Sequence, residues 1–179
     1  MYFVCSEYRQ KLIKRSCSGA KMTLFVGRHV NKLDRKGRVS VPKSFRAALR
    51  AQGSKIFYAY PSFKHGAVEA CGDIFLARLS ASLDELDTFS DEQDDLAAII
   101  LENAHALSLD TEGRAILPRE LVEHAGLSEQ VIFVGRGARF QIWEPASYDT
   151  NRSGAFERAR SRGATFKLLG GEKKEGRFR

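Results

Sequence analysis

One ten-residue phrase occurs twice in this 179-residue chain. Leu33–Pro42 reads LDRKGRVSVP and Leu109–Pro118 reads LDTEGRAILP, so Asp-x-x-Gly-Arg-x-x-x-Pro recurs in register 76 residues further on. Asp-x-x-Gly is turn chemistry, because Asp can bond the backbone ahead of it and Gly accepts the positive φ of a tight hairpin. The flanks repeat as well. TLFVGRHVNKL, with apolar Leu24, Val26, Val30 and Leu33, reads as a strand entering the first turn, and Val39 and Val41 alternate with Arg38 and Ser40 after it. Pro42 suits the first position of a helix, PKSFRAALRAQG, with Phe45, Ala48 and Leu49 on one face and Gly53 as its C-terminal cap. The strand KIFYAY follows. The second copy gives the same order: strand, turn, strand, Pro118, short helix, Gly126, then the strand VIFV. A unit of about 45 residues buries little core alone. Two copies pairing around one β core are the simplest consequence of the repeat.

Between the copies, Ser90–Ala104 reads as a helix with a capping box from Ser90 to Gln93 and an apolar stripe of Leu96, Ile99 and Ile100. GRGARF, Gly135–Phe140, is flanked by strands on both sides and reads as a hairpin turn rather than a phosphate loop, which needs a helix next. Beyond Tyr148 an Ala/Arg-rich helical patch leads to a solvated end, GGEKKEGRFR. The organisation predicted is an N-terminal extension outside the fold (1–22), a first repeat (23–80), linking helices (81–104), a second repeat (105–150) and a basic tail (151–179). No apolar run approaches the roughly 18 residues of a membrane span, and the N-terminus lacks the apolar core of a signal peptide. Three cysteines, Cys5, Cys17 and Cys71, with no CxxC pair, fit a reducing cytoplasm.

Charge separates the two copies. Residues 23–70 hold ten bases against two acids, and residues 71–150 hold five bases against sixteen acids, within an overall +7. Arg28, Lys32, Arg35, Lys36, Arg38, Lys43, Arg46 and Arg50 face Asp34 alone in their stretch of sequence. A basic two-stranded ribbon fits the major groove of B-DNA, where Arg or Lys can pair with guanine O6 and N7 while neighbours hold phosphates. The DNA-binding candidates are therefore Arg28, Lys32, Arg35, Lys36, Arg38 and Lys43. Arg38 and Arg114 carry a second reading, since each can brace its own motif by pairing with Asp34 or Asp110; Gly37 and Gly113 complete the motif residues. At the second turn Thr111 and Glu112 replace Arg35 and Lys36, and an acid there repels phosphate. His29, His65, His105 and His124 have no cysteine or carboxylate at metal or triad spacing. Neither a catalytic residue, a metal nor a cofactor is expected.

Two Asp-x-x-Gly-Arg motifs each followed by proline, together with FVGRGARFQIWEP (Phe133–Pro145), resemble the bacterial MraZ family over about Leu24–Tyr148. The resemblance implies an α+β fold, a tandem-repeat swapped-hairpin barrel of the AbrB-like type with two pseudo-symmetric halves and short helices. It also implies a transcriptional repressor of the division and cell wall gene cluster. Such a protein binds repeated promoter elements in double-stranded DNA, assembles as a closed homo-oligomeric ring and works at the nucleoid in the cytoplasm. Family motif residues correspond to Asp34, Gly37 and Arg38, and to Asp110, Gly113 and Arg114. Residues 1–21 have no counterpart in that pattern, and Tyr60–Asp73 is glycine-bearing where members show an aromatic strand. Two alternatives stand beside it: an AbrB-like antitoxin, disfavoured by two motifs in one chain, and an oligomeric scaffold joining basic front to acidic back without DNA.

Overall fold

The computed structural model describes residues 23–87 and 89–163. The expectations for the N-terminal extension, for Cys5 and Cys17 and for GGEKKEGRFR fall outside them. The described residues fall into two compact units, one ending at Tyr148 and the other beginning at Asp149.

In the first unit the first repeat supplies β1 (Arg28–Lys32), β2 (Arg38–Ser40), α1 (Lys43–Ala51), β3 (Ile56–Pro61) and β4 (Ala67–Cys71). Two linking helices follow, α2 (Asp73–Leu83) and α3 (Asp91–Ala97), the latter continued by a π-helical turn over Ala98–Glu102. The second repeat supplies β5 (His105–Ser108), β6 (Arg114–Ile116), α4 (Arg119–His124), β7 (Gln130–Gly135) and β8 (Arg139–Trp143). α5 (Pro145–Ser161) begins at the end of this unit, and it forms the body of the described part of the second unit.

The six-stranded antiparallel sheet runs β1-β7-β8-β4-β3-β5, and β2 pairs with β6 in a separate ribbon. The two halves, β1-β7-β8 and β5-β3-β4, meet where β8 pairs with β4, from Ala67↔Trp143 to Cys71↔Arg139. The strand before each turn is thus exchanged: β1 pairs with β7 of the second repeat, and β5 with β3 of the first. The α+β class and the pseudo-symmetric halves follow. The sheet, however, does not close into a barrel, because β1 and β5 stand at opposite edges. Sheet and ribbon meet instead at bridges such as Leu33↔Val39. The turns do fold tightly, but each strand after a turn finds its long partner in the other repeat.

A shared core makes this exchange favourable. Phe25, Phe45, Phe57, Phe133 and Phe140 are at most 1% exposed. They belong to a single cluster drawn from both repeats. Val39, Val41, Ala48 and Leu49 are buried beside them, as the sequence periodicity requires. Pro42 and Pro118 are N-caps rather than first helical residues. Gly53 sits past the C-terminus of α1 at φ 80°, a left-handed cap. At α3 the Ser90 hydroxyl accepts the Gln93 N–H at 3.2 Å, and the Gln93 side chain accepts the Phe89 N–H.

Two segments differ from the reading of the sequence. Leu24, Val26 and Val30 point outward, 52%, 67% and 57% exposed, while Phe25 and Leu33 are buried. Gly27, at φ 93°, bends the chain between Phe25 and β1, and half-buried His29 and Asn31 face the interior. β4 is a fully buried strand in the glycine-bearing stretch, where no such strand is legible. It carries Glu69, whose burial is compensated by hydrogen bonds from Arg139 at 3.0 Å and Gln141 at 2.5 Å. Gln141 in turn accepts from Trp143 and Arg136, so this buried charge is a structural centre.

Candidate nucleic-acid interface

Each motif folds by the same set of bonds. Asp34 N–H donates to the Arg38 carbonyl at 3.0 Å, and Gly37 N–H donates to the Asp34 carbonyl at 2.9 Å. Asp34 Oδ1 accepts the backbone N–H groups of Lys36 and Arg38, both at 2.9 Å, and Oδ2 accepts Arg38 Nε at 2.6 Å. Asp110 repeats this with Glu112 N–H at 2.9 Å, Arg114 N–H at 2.8 Å and Arg114 Nε at 2.9 Å. The turns also clasp each other's repeat: Leu117 N–H donates to Gly37 O, and Val41 N–H donates to Gly113 O. Glycine is needed at 37, where φ is 76° and a Cβ would stand 2.8 Å from the Leu117 carbonyl oxygen.

Backbone N–H groups and then a guanidinium therefore hold Asp34 and Asp110 below the usual carboxylate range. A depressed folded-state pKa contributes stability that is complete above the unfolded value, near 3.8, and is lost as pH falls through the folded value. Thermal melting of the wild type should therefore fall more steeply between about pH 5 and pH 2 than that of Asp34→Asn with Asp110→Asn. Parallel melting curves across that range would show that these carboxylates do not hold the turns.

On this common frame the tips differ. The Arg114 Nη1 group also meets Glu112 at 2.7 Å, whereas Lys36 occupies the matching place in the first turn. Arg35 and Lys36 are exposed. Behind the second tip lies Arg46 of α1, close enough that a Cβ on Gly113 would collide with its guanidinium. Val122 stands at the matching position of α4, and the space behind the first tip is an open hollow of about 610 Å³, floored by Leu33, Leu117 and Leu127.

The ribbon pairs Arg38↔Ile116, Val39↔Ala115 and Ser40↔Arg114. Val39 and Ala115 are buried, so Arg38, Ser40, Arg114 and Ile116 share the outer face. The structure thus brings together Asp34, Arg35, Lys36, Gly37 and Arg38 at one tip, and Asp110, Gly113 and Arg114 at the other. Lys32 lies on β1, opposite Gln130, and Lys43 opens α1. Arg28 is apart from them, at the far end of β1 with its guanidinium over the Tyr148 ring at 6.0 Å. The histidines are dispersed: His29 is against Phe45, His65 against Trp143, His105 3.5 Å from Glu120 and His124 in the last turn of α4. Among the described residues no group of three His, Cys, Asp or Glu could hold a metal ion, and no helix is long and apolar enough to cross a membrane.

A family model described as "MraZ protein, putative antitoxin-like" matches residues 100–164. A transcriptional regulator MraZ of Gluconacetobacter diazotrophicus is 48% identical over 142 residues, covering 78% of this chain and 90% of that protein. The chain belongs to the MraZ family. Further MraZ regulators, from Parvibaculum lavamentivorans and Rickettsia canadensis, are 48% and 41% identical over 128 residues, covering 71% and 72% of this chain and 80% and 86% of theirs. This MraZ chain carries two features outside the repeated motif residues, Arg46 behind the second tip and Ile116 on the outer face. Comparing positions 76 apart exposes both, as Arg46 against Val122 and Ser40 against Ile116.

Proposed function

We propose that this MraZ chain is a sequence-specific DNA-binding repressor. It reads repeated promoter elements of the division and cell wall gene cluster through the first hairpin, in the cytoplasm at the nucleoid. The observation that carries the reading is the pair of turns with one backbone and opposite charge: Arg35 and Lys36 stand exposed at one tip, and Glu112 stands at the other, paired with Arg114. Arg35, Lys36 and Arg38 form the reading head, with Lys32 and Lys43 holding phosphates; Arg28 contributes only where DNA extends past the tip. Arg38 serves twice, since Nε braces Asp34 while its outer edge is left to meet a base. The names of the relatives, transcriptional regulators, favour this reading over enzyme activity.

The chain works as a closed ring of copies. Val30, exposed on the edge strand β1, and Leu24 and Val26, exposed just before it, support self-association, since an apolar edge calls for a partner. Several hairpins on one ring would gain affinity through effective concentration on successive repeats.

The test is fluorescence anisotropy of the gene's own upstream DNA against a scrambled duplex across a salt series. Preference for the upstream fragment is expected, with log affinity falling by about 0.9 per log unit of salt for each neutralised phosphate. Equal and weak binding to both would overturn the repressor reading and leave a generic polyanion surface. An intact ring with no DNA affinity at low salt would make it a scaffold.

A further inference from the structure

Resting on that reading, we propose that Ile116 determines specificity by contacting the C5-methyl group of a thymine beside the guanine taken by Arg38. Ile116 is 61% exposed, while its neighbours Ala115 and Leu117 are 2% and 3% exposed. Strand alternation explains Ala115, whose side chain faces the core, but it does not explain why the outward position is a large aliphatic. The matching residue of the first repeat is Ser40.

Three observations define what Ile116 meets. It is the cross-strand partner of Arg38 on the ribbon's outer face. It lies against the first tip, with its Cγ2 3.9 Å from where a Cβ of Gly37 would stand. It also borders two hollows, of about 610 and 510 Å³, and so forms the ridge between them. Directly opposed side chains on a ribbon have Cβ atoms about 4.5–5.5 Å apart. Stacked bases follow every 3.4 Å along a strand, so such a pair matches neighbouring bases. In the major groove the thymine methyl is the one apolar mark, and an aliphatic side chain is its natural contact. A β-branched side chain, restricted at χ1, loses little freedom on making it.

The other diagonal of the ribbon lacks this pairing. Arg114 is held by Asp110 and Glu112, and its opposite residue is Ser40. The pseudo-twofold ribbon is thus chemically one-sided: at the first tip an arginine paired with one carboxylate stands beside an aliphatic, and at the second an arginine paired with two stands beside a hydroxyl.

The experiment selects duplexes from a random-sequence pool with the full chain. Each thymine of the enriched duplex is then replaced singly by deoxyuridine, which removes the methyl alone. Wild-type protein should lose about three- to fivefold in affinity at one thymine, the worth of one buried methyl. Ile116→Ala should bind the thymine duplex weaker by a similar factor and show no thymine–uracil difference there. Thermal melting should be unchanged in this variant, because the side chain is exposed. No sensitive thymine, or the same difference in Ile116→Ala, overturns the proposal. So does an altered oligomeric state with the thymine–uracil difference intact, which would make Ile116 a contact between copies. Failure to enrich any duplex would instead overturn the DNA-binding reading beneath it, and this proposal with it.

Discussion

Reversing both charges at the first tip, Arg35→Glu with Lys36→Glu, is expected to abolish specific DNA binding and leave the fold intact. Both side chains are exposed, and the turn they ride on is held by Asp34, Gly37 and Arg38 rather than by them. If each contact contributes about 1–3 kcal/mol, losing two weakens binding roughly 30- to 25,000-fold, and repulsion between the new acids and phosphate adds to it. The second tip is a natural control, since Glu112 already stands where Lys36 does. Glu112→Ala should therefore change affinity little. Anisotropy with the selected duplex reads both variants, and circular dichroism checks their fold. Normal binding by the double variant would show that the first hairpin is not the reading head. A large loss in Glu112→Ala would give the second hairpin a role in contact that its charge argues against.

The second large effect concerns stability. Phe140→Ala should destabilise the protein by about 3–5 kcal/mol, read as a lower denaturant midpoint with DNA absent. Phe140 is fully buried, and its ring lies 4.9 Å from Phe25, 5.2 Å from Phe45, 5.6 Å from Phe57 and 6.0 Å from Phe133. Three of those four rings belong to the first repeat, although Phe140 belongs to the second. Both halves should therefore lose stability together in one transition. Two separate transitions, or a loss below about 1 kcal/mol, would contradict a common core.

The two tips also show how one local motif can be given two uses. Hydrogen-bond distances agree within a few tenths of an ångström, so the backbone device is the same. What differs is the two residues at each tip and the one behind it: Arg35 and Lys36 over an open hollow, Thr111 and Glu112 over Arg46. The Nε of Arg46 is buried without a partner, which costs stability, while Val122 costs nothing of the kind.

Much of this was written in the order of residues. Asp-x-x-Gly-Arg dictates its turn because the carboxylate, the glycine and the arginine that close it lie within five positions. Val39 and Val41, the face of α1, the cap at Ser90 and the hairpin at Gly135–Phe140 were legible for the same reason, each being set by neighbours a few residues away. The charge difference between the tips was also plain in the sequence. Tertiary structure alone decided which strands pair. Nothing local distinguishes β2 pairing with β1 from β2 pairing with β6, and the choice falls to a phenylalanine core that neither repeat can close alone. It also decided that Leu24, Val26 and Val30 face outward, that Ala67–Cys71 is a central strand, and that Ile116 stands beside Arg38. Those are contacts between residues tens of positions apart, and periodicity within a strand carries no information about its partner.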